Sequence, residues 1–322
     1  MRRSGLLVVA ALAAGCVGGG TEVNEPVPTL FDDSTSTVDL GGDEATSSTA
    51  STTTLPISER LPELSEEIPG AVRTDDGLLL PITGTDGDVW FVLGPCGEER
   101  IEPAATAMQI GSQHVVLDPG GGDDAAGQVN LAVAQRTAEM LEVDGVAVAL
   151  TRTGPVSLSA ATRGAAAPAT GAAVFVSIQR GTGGATTSEA PRPTVFRRAD
   201  DASSTRLAGL INEEVVDAFS GLEGEFVVHD EPGVRVLLNQ RGDDYFRVLQ
   251  TSAGVAGARV EMLSMAENET ALLGTEEGRD IEARALADAI VRYLVSNEEG
   301  NGFIDPFETV RAAPTSNTPG DC

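Results

Sequence analysis

His114-Val115-Val116-Leu117-Asp118-Pro119-Gly120 is the stretch whose reading decides the fold. Three aliphatic side chains follow one another with no polar residue between them, as in a strand covered on both faces, and Pro-Gly then closes the run. Val146 to Thr151 and Ala173 to Ile178 have the same character, and Gly257 to Met262 reads as a further strand. Between them the period changes. Leu131, Ala134, Ala138 and Leu141 share one stripe of a helix over Asn130 to Leu141. Arg206 to Phe219 reads as a second helix, with Ser203 and Ser204 as caps. Asp280 to Leu294 reads as a third, with Ile281, Ala285, Ala289, Ile290, Tyr293 and Leu294 on one side. Alternating strands and helices predict an α/β fold over residues 113–296, a largely parallel sheet sandwiched by helices.

Outward from this core the composition shifts. Residues 71–112 hold Leu78-Leu79-Leu80-Pro81-Ile82 and Val89-Trp90-Phe91-Val92-Leu93 around Asp86-Gly87-Asp88, a small β-rich lobe that needs the next domain to complete its core. Residues 17–70 are rich in Ser, Thr, Pro and acidic side chains and read as a disordered tether. Residues 297–322 read as an irregular tail. At the start, Arg2-Arg3 precede the apolar run Leu6 to Ala14, which is too short to span a bilayer and reads as a signal-peptide core. Ala13-Ala14-Gly15-Cys16 resembles the lipobox of bacterial lipoproteins, with Ala13 where Leu is usual. That resemblance implies an exported chain, lipidated at Cys16 and anchored to the outer face of the cell membrane; the alternative is an ordinary secretory signal with an incidental Cys. Cys96 and Cys322 remain, and in an oxidising compartment they suggest a disulfide, the alternative being two unrelated thiols.

A formal charge of -28, with every basic side chain an Arg, argues against nucleic acid as a partner. One Trp and two Tyr leave little for base stacking.

From His114 onward the pieces resemble the zinc-dependent N-acetylmuramoyl-L-alanine amidases, which cut peptidoglycan between glycan and stem peptide. His114 to Gly120 is similar to that family's opening strand and Asn130-Leu131-Ala132-Val133-Ala134 to its first helix. Leu150-Thr151-Arg152, Leu158, Arg163, Ala166-Ala167, Phe175-Val176-Ser177-Ile178, Thr194-Val195-Phe196, Ser204 to Ala208, Arg241-Gly242, Arg247-Val248-Leu249 and Ala258-Arg259-Val260-Glu261 follow in the family's order. The resemblance implies a zinc held by His, Glu and His, whose bound water is deprotonated near neutral pH, and a late Glu as general base. The ligand positions fall on Gly121, Ala126 and Gln179, none of which can serve. The loop Gly121 to Gly127 contains no Glu and is shorter than the family's.

No cofactor is therefore expected, although the family implies zinc. Neither His offers a substitute. His114 stands at the far end of the first strand, roughly 13 Å from the site at strand rise, and His229 lies beside Asp230 and Glu231 in a loop. Glu261 occupies the base position, with a structural carboxylate bonded to backbone or to an Arg as its alternative. Asp123, Asp124 and Glu261 are oxygen ligands for a hard cation such as calcium if they gather, and a solvated acidic loop if they do not. The resulting expectation is a degenerate amidase-like domain that binds peptidoglycan or a wall enzyme. Its rivals are a working amidase with a non-standard metal site and a purely structural lipoprotein.

Overall fold

The computed structural model describes residues 55–65, 69–105, 107–181, 193–220, 233–264, 275–301 and 309–311. Cys16, His229 and Cys322, with most of the expected tether and tail, lie outside the described residues.

Five short strands form an antiparallel sheet: β1 (Ala71–Arg73), β2 (Leu79–Asp86), β3 (Val89–Leu93), β4 (Glu99–Pro103) and β5 (Met108–Ile110), in the order β4-β3-β2-β1-β5. As its size requires, this lobe does not close a core alone. Ala71 and Leu79 are buried among residues of the following domain, and Leu79 N–H donates to Thr151 O at 2.8 Å.

The second sheet has seven strands: β6 (Val115–Pro119), β7 (Val148–Leu150), β8 (Val174–Gly181), β9 (Thr194–Arg197), β10 (Val234–Asn239), β11 (Ala256–Ser264) and β12 (Thr309–Arg311). Their order is β12-β10-β9-β11-β8-β6-β7. Every neighbouring pair is parallel except β9 with β11. The side-chain period of two explains why the strands read as continuous apolar runs. Val115, Leu117, Val176, Ile178 and Val260 face α1 (Ala125–Val143), α3 (Ala202–Ser220) and α5 (Glu276–Val295). Val116, Phe175 and Phe196 face α2 (Ala160–Ala169), α4 (Arg247–Thr251) and the β lobe.

Local chemistry starts the helices. Asp124 accepts from Gly127 N–H at 2.7 Å ahead of α1, Ser159 from Thr162 N–H ahead of α2, and Thr275 from Gly278 N–H ahead of α5. Glu276 and Glu277 in the first turn of α5 and Arg292 in its last oppose the helix dipole. Ahead of α3 the cap is Asp201, which accepts from Ser204 N–H, rather than Ser203 or Ser204. Ser204 instead lies inside the helix, where its Oγ accepts from Gly257 N–H at 2.9 Å and ties α3 to β11.

Two boundaries differ from expectation. Residues 55–65, assigned to the tether, lie against the domain: Ile57–Glu59 form a 3-10 turn, Leu61 packs on the main core, and Pro62 O accepts from His114 Nε2 at 3.0 Å. Nδ1 of the same ring accepts from Ala147 N–H, so the ring is held from both sides. In the tail, Thr309–Arg311 pair with β10 rather than remaining irregular.

Candidate functional site

The C-terminal ends of β6, β8 and β11 lie side by side, and on the α2/α4 face they carry polar residues. Register sets them in two rows. Asp118, Ser177 and Arg259 are partners across the strands, and one step further Gln179 pairs with Glu261.

Asp118 is fully buried and met from three elements. Oδ1 accepts from Thr151 Oγ1 at 2.7 Å, while Oδ2 accepts from Ser177 Oγ at 2.7 Å and from Arg163 Nη1 at 2.6 Å. Such donors make a buried carboxylate tolerable. Gln179 extends the chain, Nε2 donating to Ser177 Oγ at 3.0 Å. Arg152, also fully buried, donates to the carbonyls of Pro119, Gly120, Gly127 and Gly154 at 2.7–3.0 Å. It fastens the β6–α1 loop to the strand it leaves. Burial lowers the Arg152 guanidinium from its ordinary value, and the nearby charge of Asp118 opposes that change.

Glu261, read as the base position, is not free. Its Oε1 accepts from Arg259 Nη2 at 2.5 Å, and Arg259 in turn lies over the Phe246 ring at 4.2 Å. Burial pushes the Arg259 guanidinium down, and the nearby charge of Glu261 opposes that change. The sequence carries a signal for this pairing: residues two apart on a strand share a face.

The three positions that the resemblance implies as ligands come to this edge, and the side chains they carry do not make a metal centre. Gly121 follows β6 at φ +80°, Ala126 lies half-buried in the first turn of α1, and Gln179 lies two residues before the end of β8. Zinc needs N, S or carboxylate donors in tetrahedral array; a hydrogen, a methyl and a neutral amide give none. Among the described residues no three His, Cys, Asp or Glu converge. The calcium alternative fails on the same geometry. Asp124 caps α1, Glu261 is paired with Arg259, and Asp123 is exposed. His114 stands before β6, at the opposite edge of the sheet. Cys96 sits in the turn after β3, its N–H donating to Glu98 Oε2, beside the start of α2 through Ser159 N–H to Pro95 O. What the edge can offer is hydrogen bonding: amide, hydroxyl, guanidinium and carboxylate groups on a rigid sheet.

A family model described as N-acetylmuramoyl-L-alanine amidase matches residues 115–292, more than half of the chain. Similar solved structures include the amidase from Clostridium difficile 630, 21% identical over 58% of this chain and 99% of that one, with a TM-score of 0.49. Another is the amidase AmiC2 of Nostoc punctiforme, 25% identical over 57% and 99%, at 0.45. A third is the catalytic domain of the amidase CwlV from Bacillus (Paenibacillus) polymyxa var. colistinus, 24% identical over 56% and 97%, at 0.46. No curated protein matches the chain.

Proposed function

The chain belongs to the N-acetylmuramoyl-L-alanine amidase family, and from that premise we propose that it is a member directed at peptidoglycan which binds the polymer without zinc and without cleaving it. The observation that carries this reading is the occupancy of the ligand positions by Gly121, Ala126 and Gln179, together with the engagement of Glu261 by Arg259. Without a metal, water stays far too weak an acid for hydroxide to be abundant at neutral pH. A lone carboxylate contributes general-base help of about a hundred- to ten-thousand-fold, well short of what amide hydrolysis requires. Binding and hydrolysis use partly separate groups, so the groove can retain the first and lose the second. Gln179 and the two part-exposed guanidiniums of Arg163 and Arg259 are the groups that would meet the glycopeptide.

Elemental analysis and incubation with purified wall test the reading together. It expects zinc well below one per chain, no released stem peptide, and co-sedimentation with insoluble peptidoglycan that survives Glu261→Ala. Stoichiometric zinc with peptide release that disappears in Glu261→Ala would restore the working amidase. Failure to sediment, with no zinc and no release, would leave the structural lipoprotein.

Placement in the cell envelope is part of the same proposal. Cys16 would carry a lipid on the outer face of the membrane, and a fatty-acid label that marks the native chain should spare Cys16→Ser. Cys96 would pair with Cys322, closing a long loop that stabilises by about 5 kcal/mol on the chain-entropy model. Peptide mapping without reductant should recover the two cysteines joined.

A further inference from the structure

Two things separate the β6–α1 loop from a zinc centre: residue types that do not bind, and room that is no longer there. We infer that shortening of this loop has closed the metal position with main chain, so that restoring the three ligand side chains does not restore the site. The inference rests on the zinc-free reading above and deepens it from missing ligands to missing volume.

At Gly121 a Cβ would lie 2.8 Å from Gly127 Cα and 3.2 Å from Gly127 N. Those are backbone atoms of the first turn of α1, and they cannot swing aside as a side chain can. A Cβ on Gly127 would in turn lie 2.6 Å from both the N and the O of Gly122. At Gly120 it would fall 1.9 Å from Gln179 Nε2. Loop, helix turn and strand end are therefore seated against one another through three glycines. The seating is fastened from both sides: Arg152 Nη2 donates to Gly120 O and Gly127 O, Asn130 Nδ2 to Gly120 O, and Asp124 caps the turn. A zinc ligand set tolerates only about 0.2 Å of error in its distances. An imidazole at 121 would have to start from a Cβ position that main chain already fills. The positive φ of Gly121 adds strain for any side chain.

The test uses the full chain carrying Gly121→His, Ala126→Glu and Gln179→His together, and a second form with the same substitutions plus about six Gly and Ser residues inserted after Gly122. Zinc per chain is read by elemental analysis and folding by far-UV circular dichroism. The unlengthened form is expected to stay well below one zinc per chain, and the lengthened form to approach one. Folding of the lengthened form alone would support the inference equally, since it too shows that the short loop leaves no room. One zinc per chain in the unlengthened form would overturn the inference, and so would lengthening that folds but gains nothing. A variant that needs no metal checks the volume directly. Gly121→Ala should lower the urea midpoint of unfolding, and an unchanged midpoint would show that the room exists and overturn the inference. Zinc in the unaltered chain would instead strike the reading beneath it, so the two failures are distinguishable.

Discussion

Asp118 and Glu282 are both carboxylates wholly out of water, on opposite faces of one sheet, and their surroundings differ. Asp118 meets Thr151, Ser177 and Arg163, drawn from β6's neighbours and from α2, and each carboxylate oxygen has a donor. Glu282, on α5, meets Arg180 of β8 through Nη2, which donates to Oε1 at 2.9 Å and lies equally near Oε2, with side chains 0% and 1% exposed. Arg180 Nε and Nη1 and Glu282 Oε2 have no hydrogen-bond partner among the described residues. The first carboxylate is stabilised by short-range donors that cost little to bring, since the sheet already holds them. The second depends on one opposite charge, and burial still pushes its pKa above the ordinary value, with Arg180 opposing. A closed set of hydrogen bonds makes a buried charge a rigid part of the site; a bare ion pair makes it a point of fragility.

The largest expected effect therefore lies away from the candidate site. Glu282→Ala should cost about 3–5 kcal/mol, because Arg180 is left buried and unpaired. Replacing both, Arg180→Met with Glu282→Leu, should recover most of that loss. Urea unfolding measures each, and a paired variant as unstable as the single one would break the comparison. Asp118→Asn comes next, at about 1.5–3 kcal/mol, the scale of hydrogen bonds to a charged group. It should cost less than Glu282→Ala because Arg163, at 12% side-chain exposure, can turn to water. A larger cost would reverse the ranking.

Acidity sharpens the contrast. Glu282 has its folded pKa raised above the unfolded value of 4.5, so the folded chain binds more protons than the unfolded one. Its contribution to stability is then fully present below pH 4.5 and is lost as pH rises through the folded value. Urea midpoints taken upward from pH 4.5 should show this decline in the native chain and a flatter profile in Glu282→Gln. Parallel profiles would remove Glu282 as the cause. The smallest effect belongs to the surface. Arg136 and Asp280 pair at 2.6 Å between α1 and α5, with side chains 41% and 43% exposed. Arg136→Ala should cost less than about 1 kcal/mol, and that cost should fade in salt.

These regions are not equally legible in the sequence. The strands from Val115 and Ala173 can be read because burial on both faces leaves an unbroken apolar run. The helices ending at Leu141, Phe219 and Leu294 can be read because a single stripe survives in sequence. α2 cannot be read as a helix from periodicity: small Ala side chains mark no stripe, and Pro168 lies inside it. The residue types at Gly121, Ala126 and Gln179, on which the proposed absence of zinc rests, are visible in the sequence, since identity is a one-residue property. The closure of the loop on Gly127 and the Arg180–Glu282 pair are not, because each depends on which elements meet; the Arg259–Glu261 pair, two residues apart on one strand, is. Arg180 and Glu282 are 102 residues apart in the chain.

Residues 55–65 cross the edge of the sheet opposite Gln179 and Glu261, where Arg60 reaches Val295 O at the end of α5 and His114 holds Pro62 just before β6. Chain held from upstream of this segment, with a ligand gripped at the far edge, would transmit tension lengthwise along β6. Its neighbours β7 and β8 are parallel to it, so the ladder between them would be loaded in shear, many hydrogen bonds resisting at once, rather than peeled open one pair at a time. The same arrangement that keeps Gln179 and Glu261 at the end away from the N-terminal segment would make the sheet a tensile member under such a load.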